Sequence, residues 1–209
     1  MANEIEFKIN VDEEGIEKIL NTDYFNSKNL CLCGFIIKRD MYFKPSKEGE
    51  VIRIRQNQSV GIANVNKFFE EIKFDDKTFS ESYLCYKNKG FSDDGETEVT
   101  NEYETSIENP EPFIKIMESK NSNVYFIKEK KSILIEFSND IYKNSYHIEL
   151  VCVNNKHYYI EIEWMDDLLD ANFNTIDKII TYLEGRILEL GFNPYEKDSR
   201  PWMEIIKND

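Results

Sequence analysis

Long apolar runs are missing from this sequence, and with them any α-helical membrane span, which needs about 20 consecutive apolar residues. Met1 to Lys8 show no basic stretch followed by an apolar one, so the expected location is the cytoplasm. Cysteine is scarce. Four (Cys31, Cys33, Cys85 and Cys152) do not make a disulfide framework in 209 residues, and reduced, buried thiols are expected. With two histidines, His147 and His157, and no Cys-x-x-Cys pair, a zinc site has no support in the sequence. No Pro/Gly/Ser-rich stretch marks a linker, so residues 1–209 are expected to form a single domain. Basic charge is also short. The 26 Lys and Arg against 40 Asp and Glu leave a net charge of -14, and no Lys/Arg run gathers positive charge against a phosphate backbone. Neither nucleic acid nor a membrane is an expected partner.

What the sequence does have is apolar residues enough for a core, 41% with 13% aromatic, which excludes a disordered chain. They recur with period two, the signature of strands with one apolar and one polar face. Strands are expected near residues 2–10, 30–44, 50–58, 66–75, 80–88, 98–107, 123–137, 144–153 and 157–165. Ser92 to Glu98 and Lys44 to Gly49 read as hairpin loops. Helices are fewer: one from the N-cap candidate Asp12 to Leu20, a short one from Pro110 to Met117, and one from Asn174 to Leu190 that stops before Gly191. Ile176, Ile179, Ile180, Leu183, Ile187 and Leu190 form the apolar stripe of the last, and Trp202 to Ile206 add a turn. Many strands with few helices point to an antiparallel barrel or sandwich, mainly β with peripheral helices.

Chemistry enters through like-signed doublets at i and i+2, about 6.5 Å apart on one strand face. Glu4, Glu6 and Lys8 share a face against Ile5, Phe7 and Ile9; Arg53 and Arg55 alternate with Ile52 and Ile54; Glu102 and Glu104 flank Tyr103; Glu161 and Glu163 alternate with Ile160, Ile162 and Trp164; Lys128 and Lys130 repeat the pattern. Any single doublet fits a solvated sheet face. Recurring Glu-x-Glu and Arg-x-Arg pairs instead want counter-ions: clustered carboxylates hold hard divalent cations, and clustered Arg and Lys hold phosphate oxygens.

In order along the chain, Glu4-Ile5-Glu6-Phe7-Lys8, Asp40-Met41-Tyr42-Phe43, Ile52-Arg53-Ile54-Arg55, Tyr86-Lys87, Glu102-Tyr103-Glu104, Lys128-Glu129-Lys130 and Glu161-Ile162-Glu163 resemble the motifs of the CYTH superfamily, the triphosphate tunnel metalloenzymes. The tail Ser199 to Glu204, with Trp202 where the family often has Tyr, is similar as well. There are three departures. The stretch 57–80 is longer than the family's link and reads as an inserted hairpin, which leaves Lys87 and Lys73 as rivals for the tunnel lysine. Thr100 and Asn101 stand where the family frequently has Arg, and Lys130 replaces the Arg of its Lys-x-Arg motif, losing the bidentate fork. A wider turn before His157 leaves the carboxylate preceding it, with Glu149 as the candidate, unassigned.

The resemblance implies a closed antiparallel eight-stranded β-barrel that binds a small-molecule triphosphate with Mg²⁺ or Mn²⁺. It implies metal ligation by Glu4, Glu6, Glu161 and Glu163, then Glu104, with Glu102 as its alternative; phosphate binding by Lys8, Arg53, Arg55, Lys87, Lys128 and Lys130; and catalysis by Lys8, Glu4 and Glu6. The implied reaction is hydrolysis of tripolyphosphate or of a small organic triphosphate such as thiamine triphosphate. Cyclisation of ATP, as in class four adenylyl cyclases, and non-catalytic polyphosphate binding are the alternatives. Tyr42 reads as packing, and His147 as a surface histidine sharing a strand face with Glu149.

Overall fold

The computed structural model describes residues 5–45, 47, 49–61, 67–75, 78–91, 98–165 and 176–207, with the backbone alone for 88–91 and 98–102. The alternating segments form eight strands: β1 (Ile5–Val11), β2 (Leu30–Phe43), β3 (Glu50–Ser59), β4 (Glu81–Phe91), β5 (Glu98–Ser106), β6 (Val124–Phe137), β7 (Tyr146–Val153) and β8 (His157–Trp164). They hydrogen-bond in the order β1-β8-β7-β6-β2-β3-β4-β5. The β1–β8, β2–β3, β3–β4, β4–β5 and β7–β8 pairings are antiparallel.

The expected eight strands are present, but the sheet is not closed into a barrel: β1 and β5 stand at its two ends, with no ladder between them among the described residues. Closure needs the free edges of the end strands to meet in register, and alternation within each strand carries no information about that. Part of the β1 edge is taken by the chain's own tail. Ile9 forms an antiparallel bridge with Lys197, and the Asp198 N–H donates to the Lys8 carbonyl at 2.8 Å.

The strand expected near 66–75 is instead a one-turn helix, α3 (Phe68–Glu71). The reason is the adjacent pair Phe68 and Phe69, both buried, which a strand would point to opposite faces. The helical turn lets Phe68 meet Phe35 at 5.1 Å and Phe69 meet Tyr158 at 6.0 Å between ring centroids. The hairpin expected near 57–80 thus falls partly on residues 62–66 and 76–77, outside those described, and on this helix.

Residue contacts divide the chain into two compact units, one made of 36–60 and 73–130, the other of 2–35, 61–72 and 131–209. Neither is a continuous stretch, and the 14-residue strands β2 and β6 contribute to both. In the first unit, α4 (Glu111–Ser119) starts at Pro110 and sets Phe113 edge-on to Phe43 at 5.8 Å.

In the second unit, α1 (Glu13–Leu20) begins where Asp12 Oδ1 accepts from the Gly15 N–H at 2.8 Å, and it buries Ile16 and Ile19. A helix absent from the sequence expectation follows, α2 (Thr22–Lys28), capped by Asn21 and stopped by Asn29 in the left-handed region. It buries no residue, so it leaves no apolar stripe to find. α5 (Ile176–Glu189) packs through Ile179, Leu183 and Ile187, whereas Ile176 at its start is exposed. Gly191, at φ 86°, ends it, with the Phe192 N–H returning to the Ile187 carbonyl. α6 (Trp202–Lys207) seats Ile205 with Val151, Val153 and Tyr159. No helix among the described residues is long and apolar enough to cross a membrane.

Of the four cysteines, Cys85 and Cys152 are buried as expected, but Cys33 is exposed and Cys31 partly so; none is in a disulfide.

Candidate functional site

In the first unit the strand register sets Asp40 opposite Arg55 and Tyr42 opposite Arg53, and then Arg53 opposite Cys85 and Val51 opposite Lys87. Parity therefore puts Asp40, Arg53, Arg55 and Lys87 on one face. Lys73 lies off the sheet, exposed, between α3 and β4. Asp40 is the centre. Its carboxylate is wholly buried, and Arg55 forks onto it with Nε 2.8 Å from Oδ1 and Nη2 3.1 Å from Oδ2. The Lys128 ammonium lies 3.0 Å and the Arg53 Nη1 3.7 Å from Oδ2, and the Tyr42 hydroxyl donates to the same oxygen at 3.4 Å. Burial alone would raise the Asp40 pKa, but Lys128, Arg55 and Arg53 hold it well below the usual carboxylate range. Burial and the Arg55 charge oppose protonation of Arg53, yet Asp40 carries its pKa above the ordinary value.

Three cations thus share one buried anion, with side-chain exposures of only 11% for Arg53 and 5% for Lys128. Lys130, two residues on from Lys128, is buried as well. Glu104 is exposed on β5 opposite Cys85, whose S–H donates to its Oε2 at 2.8 Å. Burial first, and that hydrogen bond second, push the Cys85 thiol up to about 11. Glu102 pairs with Lys87 through the backbone, and its side chain lies outside the described residues.

The second unit carries an acidic face. Cross-strand register across β1, β8 and β7 builds two rows, Glu6–Glu163–His147 and Lys8–Glu161–Glu149, all on one side of the sheet. Glu149 and Glu161 are buried, 4% and 6% exposed, while Glu6 is exposed and Glu163 and Lys8 are intermediate. Each inner carboxylate has a fixed donor. The Trp202 indole N–H reaches Glu161 Oε1 at 2.9 Å, and the Ser132 hydroxyl reaches Glu149 Oε2 at 2.8 Å. His147 Nε2 stands 3.0 Å from Glu163 Oε2, so the histidine expected at the surface is a partner of the site's acid. The Lys8 ammonium sits 5.7 Å from the centre of the Trp202 ring. Glu4 lies outside the described residues.

Sequence reasoning left Glu149 an unassigned candidate and Ser132 unnoticed. The turn before His157, expected to be wide, is short: Asn154 and Asn155, both at positive φ, pair Val153 with His157 and so fix Glu149 against Glu161.

The carboxylates on this face fit a hard divalent ion, and Mg²⁺ keeps several waters, so it needs no closed protein cage. No cage is drawn together here: among the described residues the one group of three Cys, His, Asp or Glu ligand atoms within 4.8 Å of one another is Cys31, Cys33 and Glu136.

No protein-family model matches the sequence, and no curated protein matches it. Solved structures do resemble it. The PH1819 protein of Pyrococcus horikoshii is similar with a TM-score of 0.66 at 18% identity, over 99% of each chain. The PH1012 protein of the same organism follows at 0.61 and 19%, over 97% of this chain and 98% of that one. A candidate adenylate cyclase of Vibrio parahaemolyticus reaches 0.63 at 13%, over 98% and 97%. At such identities the likeness shows the fold alone.

Proposed function

We propose that the protein hydrolyses a triphosphate, inorganic tripolyphosphate or a small organic one such as thiamine triphosphate, with Mg²⁺ or Mn²⁺. The observation that carries this reading is the cation cluster on Asp40. Burying charge costs several kcal/mol per ion, and gathering three cations around one buried carboxylate is an expensive way to stabilise a sheet. They make sense as the receiving surface for a polyanion. Asp40 fixes the Arg55 fork and holds Lys128 and Arg53 beside it, so that phosphoryl oxygens meet preset donors, the source of most catalysis in phosphoryl transfer. Lys87 and Lys130 add charge to the grip, and Lys8 is a further candidate for phosphate binding.

Glu6, Glu161 and Glu163, with Glu149 beside them, would hold the divalent ion that accompanies a triphosphate, and Glu4, Glu104 and Glu102 are the further candidates. When bound, such an ion polarises the terminal phosphoryl group and lowers the pKa of a bound water. The Trp202 and Ser132 donors orient Glu161 and Glu149, as outer-shell partners of metal ligands do.

The name of the Vibrio neighbour supports a second reading, cyclisation of ATP. A panel of tripolyphosphate, thiamine triphosphate and ATP, each with Mg²⁺ or Mn²⁺, separates them. Inorganic phosphate supports hydrolysis, pyrophosphate with cyclic AMP supports the cyclase, and binding without any product overturns both and leaves a polyphosphate-binding protein.

A further inference from the structure

Near the start of β2, Cys31 and Cys33 are spaced to share a strand face, and Glu136 of β6 comes across to meet them. The Cys31 S–H donates to Glu136 Oε1 at 3.3 Å and lies 3.7 Å from the Glu136 carbonyl, while the Cys33 sulfur lies 3.7 Å from the Cys31 carbonyl. The three ligand atoms fall within 4.8 Å of one another. Lys143 pairs with the same Glu136 oxygen at 3.2 Å. The cluster lies wholly in the second unit and involves none of the residues assigned to triphosphate chemistry.

A disulfide is excluded by the strand. Residues i and i+2 of an extended chain are about 6.5 Å apart, whereas bridged cysteines need Cβ atoms about 3.8 Å apart. A metal ion spans that gap, because two sulfurs then need only reach a common centre. With Zn–S near 2.3 Å and Zn–O near 2.1 Å, a tetrahedral S–O edge is about 3.6 Å, close to the 3.3 Å already present between Cys31 and Glu136.

We propose that Cys31, Cys33 and Glu136 form a zinc site with one open position for water. The donor set selects the metal. Thiolates are too soft for Mg²⁺ or Ca²⁺ and a carboxylate is too hard for Cu⁺, while Zn²⁺ accepts both. Charge balances as well: two thiolates and a carboxylate face one dication and the Lys143 ammonium. In the metal-free protein, burial first and the Glu136 charge second push the Cys33 thiol up to about 12, and burial first and the hydrogen bond to Glu136 second raise Cys31, so both sulfurs rest as thiols. Binding releases their protons to solvent, one from each sulfur. Cys33 is exposed, which leaves the ion a way in.

The test uses the full chain, Zn²⁺ titrated against a competing chelator, and Co²⁺ as a spectroscopic probe. The expected result is one Zn²⁺ per chain at this site and a Co²⁺ complex with sulfur-to-cobalt charge-transfer absorption. Cys31→Ser and Cys33→Ser should each weaken that band, the double variant should abolish it, and each single change should weaken Zn²⁺ by about a hundredfold or more, beyond the usual loss on changing an outer-shell partner. Glu136→Gln should weaken Zn²⁺ while keeping the band. Glu161→Gln, Cys85→Ser and Cys152→Ser should change neither readout. Since Cys33 is exposed, Cys33→Ser should keep the wild-type melting temperature. A charge-transfer band undiminished in both Cys31→Ser and Cys33→Ser, or no Zn²⁺ bound by the wild type, would overturn the site whatever the protein does to triphosphates.

Discussion

Replacing Asp40 by Asn keeps the side-chain shape and removes the one charge that three cations share. At an effective dielectric near 20, each contact at 3–4 Å is worth about 4 kcal/mol in gross attraction. Mutual repulsion of the cations and desolvation cancel much of the total, and breaking such a buried arrangement from one side costs about 3–5 kcal/mol net. For a chain of 209 residues, with roughly 2–4 °C per kcal/mol, the melting temperature should fall by about 6–20 °C. The informative half of the experiment is the second. Without Asp40, a bound polyanion meets the same three cations with one negative charge fewer beside them, so tripolyphosphate should raise the melting temperature of Asp40→Asn more than that of the wild type. Calorimetry of both proteins with and without tripolyphosphate reads both effects. A loss under about 1 kcal/mol, or an anion-induced shift no larger in the variant than in the wild type, would refute the view of Asp40 as the anchor of an anion-receiving cluster.

Four further outcomes are expected. Arg53→Ala and Arg55→Ala should weaken tripolyphosphate binding by about ten- to a hundredfold, the loss of one charge-assisted contact of about 1.5–3 kcal/mol, read by titration calorimetry. Glu161→Gln should abolish most metal-dependent turnover yet raise the melting temperature of the metal-free protein, because it relieves the buried pair with Glu149; turnover that persists in excess chelator would remove the metal from the mechanism. Trp202→Phe keeps an aromatic ring against Tyr159, 4.8 Å away, but deletes the donor to Glu161, so the Mg²⁺ concentration for half-maximal activity should rise by about tenfold or more with little change in fold. On pH, a depressed carboxyl contributes stability that is complete above its unfolded pKa, near 4, and is lost as pH falls from there toward the folded value; chemical denaturation should show a shallower loss below about pH 4 in Asp40→Asn than in the wild type.

Much of the sheet was legible because period-two alternation is local: Glu6 with Lys8, Arg53 with Arg55 and Glu161 with Glu163 announce their shared faces without any tertiary knowledge. What alternation cannot give is which strand lies beside which. The surroundings of Asp40 and Glu149 emerge only when register sets them against Arg55 and Glu161, and the place of Lys87 on the face of Arg53 and Arg55 only when β4 pairs with β3. Local patterns also misled at Phe68-Phe69, where two adjacent aromatic residues looked like a strand and needed a helical turn to bury both rings. α2 carries its start and stop signals, Asn21 and Asn29, without a buried face between them. The cysteines were read by spacing alone, and the residue that gives Cys31 and Cys33 a common purpose, Glu136, is more than a hundred positions away.

The first strand pairs with the last: Ile5 faces Trp164 and Val11 faces Tyr158. On a ribosome adding roughly 5–20 residues per second, β1 emerges on the order of 10–30 s before the strand that completes it. Through that interval its unpaired backbone edge and the apolar side of Ile5, Phe7 and Ile9 have no native neighbour, and the bridge from Lys197 arrives later still. A nascent chain of this design leans on whatever shields its beginning during synthesis, and stalling after β7 should leave a species that holdase chaperones retain and that full-length release lets go.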